Sequence, residues 1–291
     1  MKKIGILLVG ILLISITAGC IGGKTSTSTP TSTSMTQPTS TTSTISSTTT
    51  STSSSSSTTT TSPPPKKYTQ KELLQRTRTI KYFTFTDNTT MSIQLKLEVN
   101  NTVVQRQNIT FEIKRKAYVD LENKIAEVNG TTHVYPNGGS SISHQVVVGD
   151  TIYIATNGIT REIDNATIAN LTWNYNPVSF AVLYLTEKPN RTEFINGTQF
   201  LYYPISTEDL KNMMAMFSPL KGTNVSVWNG ILELRFKNGR LISERTMYEF
   251  KLTMMLNGNK VIEVGKVYDE IHIFDFNIKK NVKVPEKNVK A

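Results

Sequence analysis

The nine residues MSIQLKLEV, Met91 to Val99, alternate without a break: Met91, Ile93, Leu95, Leu97 and Val99 are apolar, and Ser92, Gln94, Lys96 and Glu98 are polar. Strand side chains point to opposite faces with a period of two, so this pattern suits a strand with one dry face and one wet face. Ile109, Phe111 and Ile113 repeat it. Further strand segments are read at 80–86, 118–128, 133–135, 145–148, 151–155, 200–203, 225–236, 241–254, 260–267 and 270–277. The turn-forming pairs Gly149-Asp150, Asn229-Gly230, Asn238-Gly239 and Asn257-Gly258 join many of them. Successive hairpins of this kind predict a mainly β (α+β) domain built on one large antiparallel sheet.

One face of such a sheet has to be covered. Thr69-Gln-Lys-Glu72 has the form of a capping box and predicts a short helix that opens the domain. Asn176-Pro177 starts a second helical stretch, 177–185, in which Phe180, Leu183 and Tyr184 fall at helical spacing. Ser206-Thr-Glu-Asp209 caps a third, Leu210 to Phe217, closed by Pro219. The third carries Met213, Met214, Met216 and Phe217, side chains that adapt to irregular apolar space. Two readings of these residues stay open: ordinary core, or the lining of an apolar ligand cavity with Trp173 at its rim.

What precedes the sheet cannot fold with it. Lys2 and Lys3 are followed by an apolar run from Ile4 to Ile16, then by Thr17, Ala18 and Gly19 before Cys20, which is the order of a secretory signal. Cleavage before Cys20, the only cysteine, would free its amine and thiol for lipid attachment; an uncleaved signal anchor is the other reading. Either reading puts the rest of the chain on the extracytoplasmic face of the membrane. From Thr25 to Pro65 the chain is almost entirely Ser, Thr and Pro, with no charge and almost nothing apolar, so it cannot offset the entropy of ordering itself. Residues 20–67 therefore read as a disordered stalk, either O-glycosylated or unmodified. Roughly forty residues at about 3.3 Å each reach at most about 130 Å. The expected organisation is a signal peptide at 1–19, the stalk at 20–67 and a folded domain at 68–291.

Charge excludes one class of partner. Five of the 32 Lys and Arg residues precede Tyr68 and all 22 Asp and Glu follow it, so the domain carries a formal charge of only +5. A nucleic-acid interface needs a clustered basic stripe, and the densest run is Lys114, Arg115 and Lys116 at the end of a strand. The lysines of the tail, 279–290, read as a solvated end or a weak attraction to acidic lipid. Nine Asn-x-Ser/Thr triplets begin at Asn88, Asn100, Asn108, Asn129, Asn165, Asn170, Asn190, Asn196 and Asn224. That is about three times the chance expectation and favours N-glycosylation of an exported surface, although Asn-rich and Thr-rich turns also generate such triplets.

The succession of a lipobox-like cysteine, a tether, the strand AYVDL at Ala117 to Leu121, the hairpin ending at Tyr153, Trp173 followed by NPVSFAVLYL, and the closing Asp275-Phe276-Asn277 to Pro285-Glu286 segment resembles the LolA-like lipoproteins. That family includes the LppX and LprG lipid carriers, and the chain looks nearest to uncharacterised archaeal members. The resemblance implies an unclosed, curved antiparallel half-barrel with helices packed on its concave face, and it implies a lipid or other hydrophobic ligand held between them.

No pattern argues for catalysis. His133, His144 and His272 are far apart and lack any nucleophile or metal motif, Asp269-Glu270 reads as a turn, and the other carboxylates are scattered. No catalytic residue, metal site or cofactor is expected. The expected function is a membrane-anchored, non-catalytic binding lipoprotein that holds an apolar ligand in a largely preformed cavity. The alternative is a fully packed structural or interaction module that meets another envelope protein.

Overall fold

A computed structural model describes residues 66–284 except 137, 157–158, 211–223 and 257–258. The signal sequence, Cys20 and the stalk, together with Met213, Met214, Met216 and Phe217, lie outside the described residues. The chain opens with α1 (Gln70–Arg78), capped as the sequence predicts: the Glu72 amide donates to Thr69 and the Glu72 carboxylate accepts from the Thr69 amide at 2.7 Å. Six strands follow, β1 (Tyr82–Val99), β2 (Thr102–Asp120), β3 (Ile125–Tyr135), β4 (Ser140–Val148), β5 (Thr151–Thr156) and β6 (Ile159–Asp164). Two helices, α2 (Ala166–Asn174) and α3 (Pro177–Tyr184), lead to β7 (Arg191–Ile195), β8 (Thr198–Pro204), β9 (Asn224–Lys237), β10 (Arg240–Leu256) and β11 (Asn259–Phe274). Thr207 to Leu210 are helical, and the Ser206 amide donates to Asp209 at 2.6 Å as a cap.

All eleven strands form one antiparallel sheet in the order β6-β5-β4-β3-β2-β1-β11-β10-β9-β8-β7. The outer strands β6 and β7 do not meet, so the sheet is an unclosed half-barrel of mainly β class. Each half is a meander of hairpins, and the halves join at a central seam where β1 pairs with β11 from Thr84↔Phe274 to Glu98↔Lys260. The linker carrying α2 and α3 runs from one outer edge to the other and lies over the inner face. Odd-numbered β1 residues such as Phe83, Phe85, Met91 and Ile93 are buried on that face, with Phe250, Leu252 and Val267 of β10 and β11 beside them.

Several local readings change. Segment 118–128 is two strands, because Leu121 to Lys124 turn the chain: Lys124 has φ 51°, and Asp120 accepts from the Asn123 amide and from its side-chain amide, both at 2.8 Å. The segments 80–86 and 91–99 fuse into β1, and 260–267 and 270–277 are parts of one strand up to Phe274, so Asp269-Glu270 is mid-strand and no turn. Asn238-Gly239 is a two-residue hairpin turn with both φ values positive, 52° and 72°, and Asn100-Asn101 is a second, at 50° and 62°. Asn229-Gly230, by contrast, is a bulge inside β9, where register shifts between the pairs Met247↔Ile231 and Glu249↔Trp228. A Cβ at Gly230 would lie 2.3 Å from the Ile205 carbonyl oxygen, which explains the glycine without a turn. Lys280 is no free end either: its ammonium reaches the Thr84 hydroxyl at 2.7 Å and Asp275 at 2.8 Å.

Candidate functional site

Two adjacent rows of side chains cross the seam on the inner face. In the first, Arg115 on β2 stands opposite Asp87 on β1, Asp87 opposite Ile271 on β11, and Ile271 opposite Glu244 on β10. In the second, Ile113, Thr89, Asp269 and Thr246 follow in the same strand order. Period-two geometry turns all of these side chains inward. Above them lies the junction of α2 and α3, and between floor and junction is a cavity of about 240 Å³. Phe85, Met91, Tyr248 and Val267 extend its lining from the sheet; Tyr175, Pro177 and Phe180 close it from above.

Asn176 builds that junction. Its Oδ1 accepts from the Ser179 amide at 3.0 Å as the N-cap of α3, and its Nδ2 donates to the Thr172 and Trp173 carbonyls at the end of α2, at 3.1 and 2.8 Å. Pro177 follows at the first helical position, where its missing N–H costs nothing. One side chain thus fixes the angle between the helices and, with it, where Phe180 enters the cavity.

The floor is polar and mainly acidic. Asp87 is 1% exposed and ion-paired with Arg115. The Thr89 hydroxyl donates to Asp87 Oδ1 at 2.8 Å and lies 3.0 Å from Asp269 Oδ1. A hydroxyl has one proton to give, so both contacts are satisfied together when Asp269 carries a proton. Burial, and then the neighbouring Asp87, push the Asp269 carboxyl well above the usual carboxylate range. Glu244 is 2% exposed, burial and then Asp269 raise it in the same direction, and its Oε1 has no hydrogen-bond partner among the described residues. Among the described residues no group of three or more His, Cys, Asp or Glu side chains, Asp87, Glu244 and Asp269 included, is arranged to hold a metal ion.

No protein-family model and no curated protein matches the chain. Among solved structures, LprF from Mycobacterium bovis aligns over 75% of this chain and 95% of its own at 12% identity, with a TM-score of 0.34. A β-barrel-like protein of a domain of unknown function, DUF1849, from Brucella abortus covers 67% of this chain and 100% of its own at 11% identity, with a TM-score of 0.22. Likenesses this distant carry no argument about the chain, whose fold stands on its own strand order and register.

The residues expected to line a cavity separate. Phe180 does line it. Tyr184 is buried beside it in an aromatic stack, its ring centroid 4.9 Å from that of Phe180 and 5.5 Å from that of Tyr203, both edge to face. Leu183 is 54% exposed and does not line the cavity. Trp173 is not among the described residues lining this cavity: its indole is buried and donates to the Gly149 carbonyl at 3.1 Å, which ties α2 to the β4–β5 turn. Asn88, Asn100, Asn108, Asn129, Asn165, Asn170, Asn190, Asn196 and Asn224 are all exposed.

What the sequence reading passed over is the acidic floor. The carboxylates are not scattered, because Asp87, Glu244 and Asp269 converge on one cavity. The signal was parity. Asp87 and Thr89 are in phase with Phe85 and Met91, Glu244 with Tyr248 and Phe250, Asp269 with Val267 and Ile271, and Arg115 with Ile113 and Ala117.

Proposed function

We propose that the protein is a membrane-anchored, extracytoplasmic binding lipoprotein without catalytic activity, which holds a hydrophobic ligand between the sheet and the α2–α3 junction. The observation that carries this reading is the cavity itself, placed beneath the α2–α3 junction and lined by Phe85, Met91, Tyr248, Val267, Pro177 and Phe180. Burying apolar ligand surface there yields about 25 cal/mol per Å² removed from water. Ligand pockets commonly enclose about 300–1,000 Å³. At about 240 Å³ this cavity suits a small ligand or one end of a longer amphiphile. Anchorage at Cys20 and N-glycosylation rest on the sequence patterns that suggest them.

The experiment is native mass spectrometry of the full-length protein from its membrane source, with organic extraction of whatever travels with it. A stoichiometric apolar adduct that Phe180→Trp abolishes supports the reading. A clean apo mass, with no uptake of added short-chain amphiphiles, rejects it in favour of the packed interaction module. One observation supports that second reading. Farther along β11 the inner face is tightly filled at Gly265, where a Cβ would lie 2.8 Å from the Phe250 ring.

A further inference from the structure

Charge is out of balance across the cavity floor. Three carboxyl groups and one guanidinium line it, and Arg115 is the only basic side chain among the described lining residues. Arg115 is already ion-paired with Asp87, to which the Thr89 hydroxyl also donates, and the buried Arg115 Nε has no hydrogen-bond partner among the described residues. Glu244 and Asp269 are left on the β10–β11 side with no cation of their own among the described lining residues. Glu244 is the sharper case, since it is almost fully buried, turned into the cavity, and its Oε1 has no hydrogen-bond partner among the described residues. A buried acceptor left unmade is costly and uncommon. Aromatic rings complete the surroundings: Phe85 and Tyr248 come from the sheet, Tyr175 and Phe180 from above.

Resting on the ligand-binding reading above, we infer that the cavity receives the protonated amine of an amphiphile, its N–H groups donating to Glu244 and Asp269 and its hydrocarbon lying against Met91, Val267 and Phe180. The ammonium supplies the missing charge and the missing donor at once. Rings around a cation add electrostatic attraction through their faces. Burial and like-charge repulsion push Glu244 and Asp269 toward the neutral form, and a cation between them offsets that push. An anionic head meets the opposite situation. Arg115 keeps an unpartnered Nε donor among the described residues, but its charge is already matched by Asp87, so a carboxylate or phosphate that enters adds negative charge beside three acidic groups. A neutral alcohol satisfies Glu244 Oε1 without neutralising anything, so it binds by its hydrocarbon and one hydrogen bond.

The test uses three probes of equal chain length, hexylamine, hexanol and hexanoate, titrated calorimetrically into the full-length protein at neutral pH. The inference expects hexylamine to bind about tenfold or more tightly than hexanol, in line with a charge-assisted hydrogen bond, and hexanoate to bind least. Glu244→Gln and, separately, Asp269→Asn bring hexylamine to within about threefold of hexanol while hexanol itself changes little. Octadecylamine carried in phosphatidylcholine vesicles, compared with free hexylamine, tells the sources apart. Extraction from vesicles assigns the ammonium to a membrane amphiphile, and binding of hexylamine alone assigns it to a soluble amine. Equal affinity for amine and alcohol, or a preference for hexanoate, overturns the inference and leaves an apolar site standing. Failure of all three probes and of octadecylamine overturns the ligand-binding reading along with it.

Discussion

Two carboxyl sites lie on the inner face of the same strand, β11, three inward positions apart, and they differ in what surrounds them. Asp269 belongs to the cluster with Asp87, Glu244, Thr89 and Arg115 beneath the α2–α3 junction. Glu263 stands opposite Leu95 on β1 and Leu252 on β10, is 1% exposed, and has an Oε2 with no hydrogen-bond partner among the described residues. Burial alone raises its carboxyl to about 7. A high carboxyl pKa is therefore common to both places and marks neither as a site. The cluster is distinguished by its ion pair, by several groups converging on one volume, and by space for an occupant.

The largest expected effect tests the ion pair. Arg115→Met leaves Asp87 buried without its cation and lowers stability by about 3–5 kcal/mol in urea unfolding at neutral pH; adding Asp87→Asn restores most of that loss. If Arg115→Met is silent, the two sites do not differ in kind. The next test concerns Glu263. Its folded-state pKa of about 7 lies above the ordinary 4.5, so between those values the folded form keeps a proton that the unfolded form releases. Stability contributed by the neutral form is intact below about pH 4.5, falls as pH rises toward 7, and is lost above it. Glu263→Gln removes that fall, and its advantage over the parent grows across this window to at most about 3 kcal/mol, read from unfolding curves at pH 4, 5.5 and 8. A constant difference across the three pH values would exclude Glu263 as the titrating group.

Packing supplies the two smaller tests. Gly265→Ala, one inward position from Glu263, sets a methyl 2.8 Å from the Phe250 ring and from the Ser92 carbonyl oxygen, and costs about 1–3 kcal/mol. Val267→Ile, the next inward position on the same strand, adds its methylene beside the cavity and costs less than about 1 kcal/mol, while weakening any ligand that fills that space. If the two costs came out equal, the contrast between a filled end and an open end of the face would be lost.

The fold was legible where side-chain chemistry is local. Alternation located the strands around Met91 and Ile109, Thr69 and Glu72 marked the opening helix, and Asn238-Gly239 marked a hairpin. Reading failed where distant partners decide. Asp87-Asn88-Thr89-Thr90 looks like a break between strands because it is polar, yet β1 runs through it, since Asp87 and Thr89 meet Arg115 and Asp269 across neighbouring strands. Asp269-Glu270 has the polarity of a turn for the same reason. Trp173 has the bulk of a cavity wall, and its indole nitrogen found a carbonyl in a hairpin turn instead. Asn229-Gly230 carries turn chemistry, but the backbone passing at Ile205 claims the glycine.

The central seam also orders events in time. Strands β1 to β6 can zip hairpin by hairpin as they emerge, and β7 to β10 can do the same, but β1 waits for β11, more than 150 residues later in the chain. Pairings so distant in sequence make for slow folding, because loop-closure entropy is spent before the contacts form. Asp87, Thr89 and Arg115 come from one half and Glu244 and Asp269 from the other, with the α2–α3 junction from the linker between them. The cavity is thus among the last features to be completed, and a ligand present at that moment would lower the barrier to joining the halves as well as occupy the result.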